Sequence, residues 1–155
     1  MKYEAKEAGY KVLEITSPAF GNNGQIPTRY TCDGTDVNPP LNVSGINDGA
    51  KSLALIVDDP DAPRGTWVHW VMWNIPLESG IKENEAPGIQ GLNDFQKNQY
   101  NGPCPPSGTH RYFFKVYALD TTLDLPASAI KAQLEKSMEG HIVAYGELQG
   151  IYNRK

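Results

Sequence analysis

The sequence predicts a mostly β protein, an antiparallel β-sandwich with one or two peripheral helices. Glycine and proline are frequent, with 15 and 12 residues, and they are spread along all 155 positions. This distribution is typical of short strands joined by turns. The segment Leu53–Val57 is almost continuously apolar, which suits a strand buried on both faces. Several further segments carry the strand pattern, whereas one carries a clear helical pattern.

Five segments are predicted to be strands, with turn residues between them. They are Lys11–Thr16, Ser52–Asp58, Thr66–Asn74, His110–Ala118 and His141–Gln149. Successive side chains of a strand point to opposite faces. We therefore expect His110 and Tyr112 on one face of their strand. The same alternation divides the tryptophan-rich strand into one face with Trp67, His69, Val71 and Trp73 and another with Val68, Trp70 and Met72.

A helix is predicted between Pro126 and Gly140, which punctuate its ends. Its apolar residues recur at helical spacing: Ala129, Ile130, Leu134 and Met138. The following His141 is interpreted as a cap or strand-start residue. The segment Pro76–Pro106 has few strand signals and is longer than a compact domain usually leaves without secondary structure. Long loops of this kind commonly carry function.

The bulk composition favours one compact domain that spans residues 1–155. A formal net charge of −4 and the lack of a basic cluster argue against a nucleic-acid surface or an anionic-membrane surface. No segment has the ~18 consecutive apolar residues of a membrane span, so we expect no integral membrane contact. Residues 1–12 are charged throughout, unlike a signal peptide, which predicts a cytoplasmic protein.

The two cysteines, Cys32 and Cys104, are too few and too far apart in sequence to resemble a disulfide framework or a zinc site with paired-ligand spacing. Two buried free thiols are the favoured interpretation. Both cysteines lie in turn-rich sequence, so a bridge between them stays open.

The candidate site begins with a proline-rigidified loop that carries carboxylates. Asp59 and Asp61 are two positions apart in an extended stretch, so their side chains point to the same side. The stretch also contains two prolines. Each aspartate alone most simply accepts backbone N–H groups in a turn. Near His69, however, a carboxylate would orient the ring and stabilise an imidazolium that can donate hydrogen bonds to an anion.

Further residues accompany this loop. His110 and Tyr112 lie in a second strand, each with a structural interpretation as a satisfied core residue. Arg111 points to the opposite face and is expected to pair with a carboxylate. The candidate partners are Asp33, Asp58 and Asp61. Trp67 shares the predicted face of His69 and could line a cavity.

Two separated motifs resemble the phosphatidylethanolamine-binding protein family, in its bacterial and archaeal Raf-kinase-inhibitor-like branch. The motifs are Asp59–Pro63 with His69-Trp70, followed by Gly102–Pro106 with His110–Tyr112. The similarity extends from Ser17–Phe20 to Gly150–Tyr152.

The resemblance implies a β-sandwich with a small anion pocket that takes phosphate, phosphoethanolamine or a carboxylate. The implied ligand-binding residues are Asp59, Asp61, His69, Pro105, His110 and Tyr112. It also implies no cofactor, no shared enzymatic reaction, a kinase or serine protease as a regulated partner, and a homodimer.

Three hypotheses follow. The leading one is a non-catalytic anion-binding protein in which Asp59 orients His69, His110 donates to the anion and Tyr112 closes the rim. The second is a hydrolase, with either a metal on His69, His110 and Asp59 or a Cys104 nucleophile. The third is a macromolecular inhibitor that inserts the loop between Pro76 and Pro106 into a kinase or protease.

Overall fold

The computed structural model describes residues 10–154, and the mostly β class is confirmed. The strands are β1 (Lys11–Val12), β2 (Glu14–Thr16), β3 (Gly24–Gln25), β4 (Asn42–Ser44), β5 (Ser52–Asp59), β6 (Trp67–Ile75), β7 (Ile89–Gln90), β8 (Thr109–Leu119) and β9 (Ile142–Asn153). One α-helix, α1 (Lys131–Met138), lies in the described range, and a 3₁₀ turn spans Thr28–Tyr30. Within that range no helix has the length and apolar character needed to cross a membrane.

Most of the strands form one large sheet with the order β1-β9-β8-β5-β6-β7, and β3 also pairs with β9. The long strands β5, β6, β8 and β9 pair antiparallel, as expected. The two-residue strands β1 and β3 instead run parallel to β9. A second sheet consists of β2 and β4 and packs on the large one.

Both faces of the large sheet are covered. All eight residues of β5 are buried, which confirms the prediction for its apolar run. One face packs Leu55 and Phe114 into a core that includes Ile15 of the small sheet. The other face packs Ile56 against Leu134 of α1. Burial of one such side chain contributes about 1.5–3 kcal/mol, so the two cores fix the register of β5 and its neighbours.

The predicted strict alternation in the tryptophan-rich strand is wrong because β6 contains a β-bulge. Val57 pairs with Trp70, whereas the next residue, Asp58, pairs with Val68. His69 is therefore an extra residue in β6 with no counterpart in β5.

The bulge changes which side chains share a face. One core contains Trp70 and Met72, and the other contains Val68, Val71 and Trp73. A β-bulge locally reverses the alternation and re-aims a side chain. The ring of His69 consequently packs against Tyr112, which belongs to the same core as Trp70.

The predicted helix is present but shorter at its start. Helix α1 buries Leu134 and Met138 against the sheet. The side chain of Gln133 accepts the Ile130 N–H at 3.0 Å, which satisfies one free donor of the first turn. Gly140 follows the helix with a φ of 81°, a conformation that glycine adopts without a Cβ clash.

The expectation of two free thiols is wrong, because Cys32 and Cys104 form a disulfide with a Cα–Cα distance of 5.4 Å. The segments around them are also held by backbone contacts. Cys32 donates its N–H to the Pro103 carbonyl at 3.1 Å, and Gly102 donates to Asp36 Oδ1 at 2.8 Å. The cysteines are 72 residues apart, so sequence spacing carried no information about their distance in space.

Candidate functional site

An open cavity of about 400 Å³ lies where β5 ends and where β6 and β8 begin. These ends meet because both neighbours of β5 run antiparallel to it. The lining residues are Asp59, Ala62, Pro63, Arg64, Trp67, His69, Phe95, Cys104, Pro105, Pro106, His110 and Tyr112. The volume falls in the range of small-molecule sites.

Five of the six site residues predicted from the sequence line this cavity together. They are Asp59, His69, Pro105, His110 and Tyr112. Asp61 does not line it. The arrangement brings two imidazoles from distant segments next to one buried carboxylate.

Asp59 orients His110. His110 Nδ1 lies 2.6 Å from Asp59 Oδ2, and both residues are buried. The other oxygen, Oδ1, accepts the N–H of Asp61 at 2.8 Å. The carboxylate therefore fixes the ring and supplies a counter-charge whenever that ring is protonated.

The hypothesis that Asp59 orients His69 is wrong. His69 Nδ1 lies 2.6 Å from the carbonyl oxygen of Asn101 instead. Burial lowers the pKa of His69, against the smaller opposing effect of the Asn101 carbonyl. His69 is therefore held as a neutral ring near pH 7, and the bulge explains why it contacts the loop rather than β5.

Tyr112 forms the floor of the cavity rather than its rim. Its ring is 1% exposed, and its centroid lies 5.4 Å from that of His69 and 6.4 Å from that of His110. Within residues 10–154 the hydroxyl makes no hydrogen bond of normal geometry, although weaker hydrogen bonds to the Cys104 backbone and to Asp59 contribute to its pKa. Burial, together with the Asp59 carboxylate, raises the pKa of Tyr112 well above its usual range, so the hydroxyl keeps its proton.

The wall of the cavity is mainly aromatic and proline-rich. The Trp67 and Phe95 rings meet edge to face at 5.6 Å, and Phe95 also contacts His69 at 5.3 Å. Arg64 adds a cationic side chain at the exposed side of the cavity. The sequence interpretation included Trp67 but missed Phe95 and Arg64, because neither carries a local motif.

Asp61 and Arg111 form a clamp beside the cavity. Arg111 binds Asp61 through Nε at 2.9 Å and Nη2 at 2.8 Å, and its backbone N–H also donates to this carboxylate at 2.9 Å. The guanidinium hydrogen bond lowers the pKa of Asp61 to about 2. Of the three partners considered for Arg111, Asp61 is the one it binds, whereas Asp58 pairs with two lysines and Asp33 with Arg154.

A buried asparagine that the sequence interpretation missed holds the loop that carries Phe95. Asn93 is 2% exposed and accepts the N–H groups of Phe95 and Lys97 through Oδ1. Its amide nitrogen lies 3.1 Å from the His69 carbonyl and 2.8 Å from Asn101 Oδ1. Asn93 therefore positions both Phe95 and the residue that fixes His69.

The structure bears on both forms of the hydrolase hypothesis, the Cys104 nucleophile and the metal site. A Cys104 nucleophile is contradicted, because the sulfur is in the disulfide and no thiol is left to attack. The described residues contain no group of three His, Cys, Asp or Glu side chains arranged to hold a metal ion. His141, the third histidine, is exposed and pairs with Asp120 at 2.8 Å, which agrees with its interpretation as a structural residue.

The chain is similar to proteins of one family along most of its length. The family model described as phosphatidylethanolamine-binding protein matches residues 16–153. The UPF0098 protein PH1269 of Pyrococcus horikoshii is 56% identical over 154 residues, which cover 92% of this chain and 77% of the relative.

Solved structures agree. The phosphatidylethanolamine-binding protein homologue CT736 of Chlamydia trachomatis has a TM-score of 0.90 and 40% identity, with 94% of this chain and 99% of that chain covered. YbcL of E. coli, described as a member of the mammalian PEBP family, has a TM-score of 0.85 and 30% identity, with 92% and 99% covered. The match over residues 16–153 and these similarities show that the chain belongs to the phosphatidylethanolamine-binding protein family.

Proposed function

We propose that this protein is a non-catalytic binding protein whose cavity takes a small anion, such as phosphate, a phosphorylated head group or a carboxylate. The observation that carries the proposal is the Asp59–His110 pair at 2.6 Å inside the cavity lined by His69 and Tyr112. Asp59 holds one ring nitrogen of His110 and leaves the other for a ligand.

The charge distribution around the cavity supports an anion. Asp59 is balanced by His110 when that ring is protonated, and Asp61 is balanced by Arg111. Among the lining residues, Arg64 supplies the permanently cationic side chain. An incoming anion can therefore contact a cation there. The aromatic and proline walls provide an apolar surrounding, which strengthens such contacts.

Calorimetric titration of the wild-type protein with inorganic phosphate tests this function. We expect saturable binding that becomes at least about tenfold weaker in the variant with His69→Ala and His110→Ala, because both ring contacts are removed. His141→Ala is the matched control, since it removes a histidine paired with a carboxylate outside the cavity. Equal phosphate affinity of the wild type and the double variant would contradict the proposal.

Regulation of a kinase or serine protease is a second candidate. The observation that favours it is that Phe95 and Pro105 of the Pro76–Pro106 segment line the cavity, so a partner on this loop would sense a bound anion. Carboxypeptidase Y inhibitor, solved in complex with its cognate proteinase, is 17% identical with a TM-score of 0.60, which shows likeness of fold alone.

A binding assay with and without phosphate tests this second candidate. Deletion of the exposed part of the loop should abolish partner inhibition while phosphate binding persists. Loss of both together, in a variant that still folds, would favour a shared role of the cavity instead.

A further inference from the structure

A second cavity, of about 310 Å³, is built largely by the long segment between Pro76 and Pro106. Six residues of that segment line it, and residues 36–38 form the opposite wall. It shares no lining residue with the cavity at the strand ends. The segment that lacks regular strand patterns therefore forms a concave site of its own.

Hydrogen bonds hold the two walls of this second cavity together. The Asn84 N–H donates to the Asn38 carbonyl at 3.1 Å, and Asn38 Nδ2 donates to the Lys82 carbonyl at 2.9 Å. The Asp36 N–H donates to the Arg29 carbonyl at 2.9 Å. Because these bonds exist without a ligand, the cavity is preformed and binding does not have to order its walls.

The charge of this cavity is negative. Asp36 and Glu85 line it, and no lysine, arginine or histidine does so among the described residues. Asp36 Oδ1 accepts the Gly102 N–H at 2.8 Å, which leaves Oδ2. Within residues 10–154 neither carboxylate has an ion-pair partner, unlike Asp61 and Glu83, which pair with arginines. Two uncompensated carboxylates attract a cation.

Asn38 is an independent sign of a ligand. It is 6% exposed and lines the cavity, with its amide nitrogen turned to the Lys82 carbonyl. Its carbonyl oxygen, Oδ1, makes no hydrogen bond within the described part of the chain, yet it is not sealed from solvent. Buried polar groups are rarely left unpaired, so Oδ1 is an acceptor for a bound donor. Asn38, Asp36 and Glu85 together offer three acceptors, which matches the three donors of an ammonium group.

The remaining wall is apolar and suits an alkyl chain. Val37, Ala86 and the ring of Tyr100 contribute to it. The Tyr100 hydroxyl donates to the Tyr30 carbonyl at 2.7 Å, and burial raises the pKa of Tyr100 well above its usual range. The hydroxyl therefore keeps its proton and is already occupied, so Tyr100 presents its ring, which favours alkyl groups and cations.

We propose that this second cavity binds a primary alkylammonium group, carried by a small amine or by a lysine side chain. The ammonium donates to Asp36 Oδ2, Asn38 Oδ1 and the Glu85 carboxylate. The alkyl chain lies against the apolar wall. Phosphate binding in the cavity at the strand ends is not required for this interaction, because the two cavities have separate linings.

NMR titration of the wild-type protein with pentylammonium chloride tests the proposal. The side-chain amide signals of Asn38 and the backbone amide signals of Tyr100 and Gly102 should shift saturably. Pentyltrimethylammonium carries the same charge without N–H donors, and pentanol has the same chain without the charge. We expect both to bind at least about tenfold more weakly, because a site built for hydrogen bonds rejects analogues that lack them.

A blocked lysine, with its backbone amine acetylated and its carboxyl amidated, distinguishes the two sources of the group. Affinity equal to that of pentylammonium supports the proposal with a lysine side chain as the source. Weaker binding of the blocked lysine, with pentylammonium still bound, supports it with a free amine as the source.

Two variants remove one negative charge each. Asp36→Asn keeps an oxygen for the Gly102 N–H and should weaken pentylammonium binding about tenfold. Glu85→Gln alters an exposed side chain that the fold does not need, and should weaken binding roughly two- to threefold. Asp48→Asn is the matched control, since it neutralises an exposed carboxylate outside the cavity and should bind as the wild type does. Thermal melting verifies the fold of each variant.

Several results would overturn the proposal. They are a lack of saturation, equal affinities of pentylammonium and pentyltrimethylammonium, and wild-type affinity in both Asp36→Asn and Glu85→Gln. Calcium chloride that shifts the same signals while pentylammonium does not would assign the cavity to a metal ion instead, and would also overturn it.

Discussion

His69 and His110 both form a hydrogen bond through Nδ1, but with different partners. Asp59 holds His110, whereas the Asn101 carbonyl holds the more deeply placed His69. Two similar side chains are therefore held in different surroundings, one by a carboxylate and one by a carbonyl oxygen.

The residues of the site could be predicted from the sequence, but the hydrogen-bond partner of each histidine could not. Alternation placed His110 and Tyr112 on one face, and both line the cavity. It failed at His69, because the bulge depends on the register between β5 and β6 and has no local signal. The hydrogen bond between His69 and the Asn101 carbonyl joins residues 32 positions apart, so it also has no local sequence signal.

The Asp61–Arg111 clamp yields a prediction on stability. The carboxyl pKa is about 2 in the folded protein and 3.8 ordinarily, so its contribution is complete above pH 3.8 and is lost as the pH falls to about 2. Because Arg111 is half-exposed, we expect Asp61→Asn to cost about 1 kcal/mol at pH 7.

Urea unfolding at pH 7 and at pH 2 checks this clamp. The variant and the wild type should differ at pH 7 and converge at pH 2, where Asp61 is half-protonated or more. A difference that is the same at both pH values would show that the ion pair is not its source.

At the scale of elements, the cavity is built by strand ends and by two loops. Asn93 fixes one loop, and the disulfide fixes the other, whose Pro105 and Pro106 form a wall. Four of the five predicted strands are observed with ends shifted by a few residues, whereas the predicted strand Lys11–Thr16 is divided into β1 and β2, which belong to different sheets. The contacts of the loops join distant residues and were not predictable.

The disulfide should contribute much of the stability of this wall. Closing a 72-residue separation restricts the unfolded chain by roughly 4 kcal/mol on a loop-entropy basis. We expect the variant with Cys32→Ser and Cys104→Ser to lose about that amount in denaturant unfolding and to bind phosphate more weakly, because Cys104 lines the cavity. Wild-type protein treated with a reductant is the matched comparison. Unchanged stability and affinity in both would contradict the role of the bridge.

At the scale of the whole molecule, the two-sided sheet leaves one end open where three strands meet. The mostly β class followed from composition and periodicity, and the family from two motifs, whereas the parallel edge strands carried no sequence signal. A homodimer and a cytoplasmic location stay predictions. Sedimentation analysis checks the homodimer. Cell fractionation checks the cytoplasmic location, because disulfides are typical of oxidising compartments rather than of the cytoplasm.

Nitrogen-15 NMR of the imidazole rings during a phosphate titration tests the central claim most directly. The chain has three histidines, and one of them lies outside the cavity, so the experiment contains its own reference. The Nε2 signals of His69 and His110 should shift saturably with one common dissociation constant while those of His141 stay still. Signals of the two cavity rings that do not move, or that move only in step with His141, would contradict an oxyanion site between them.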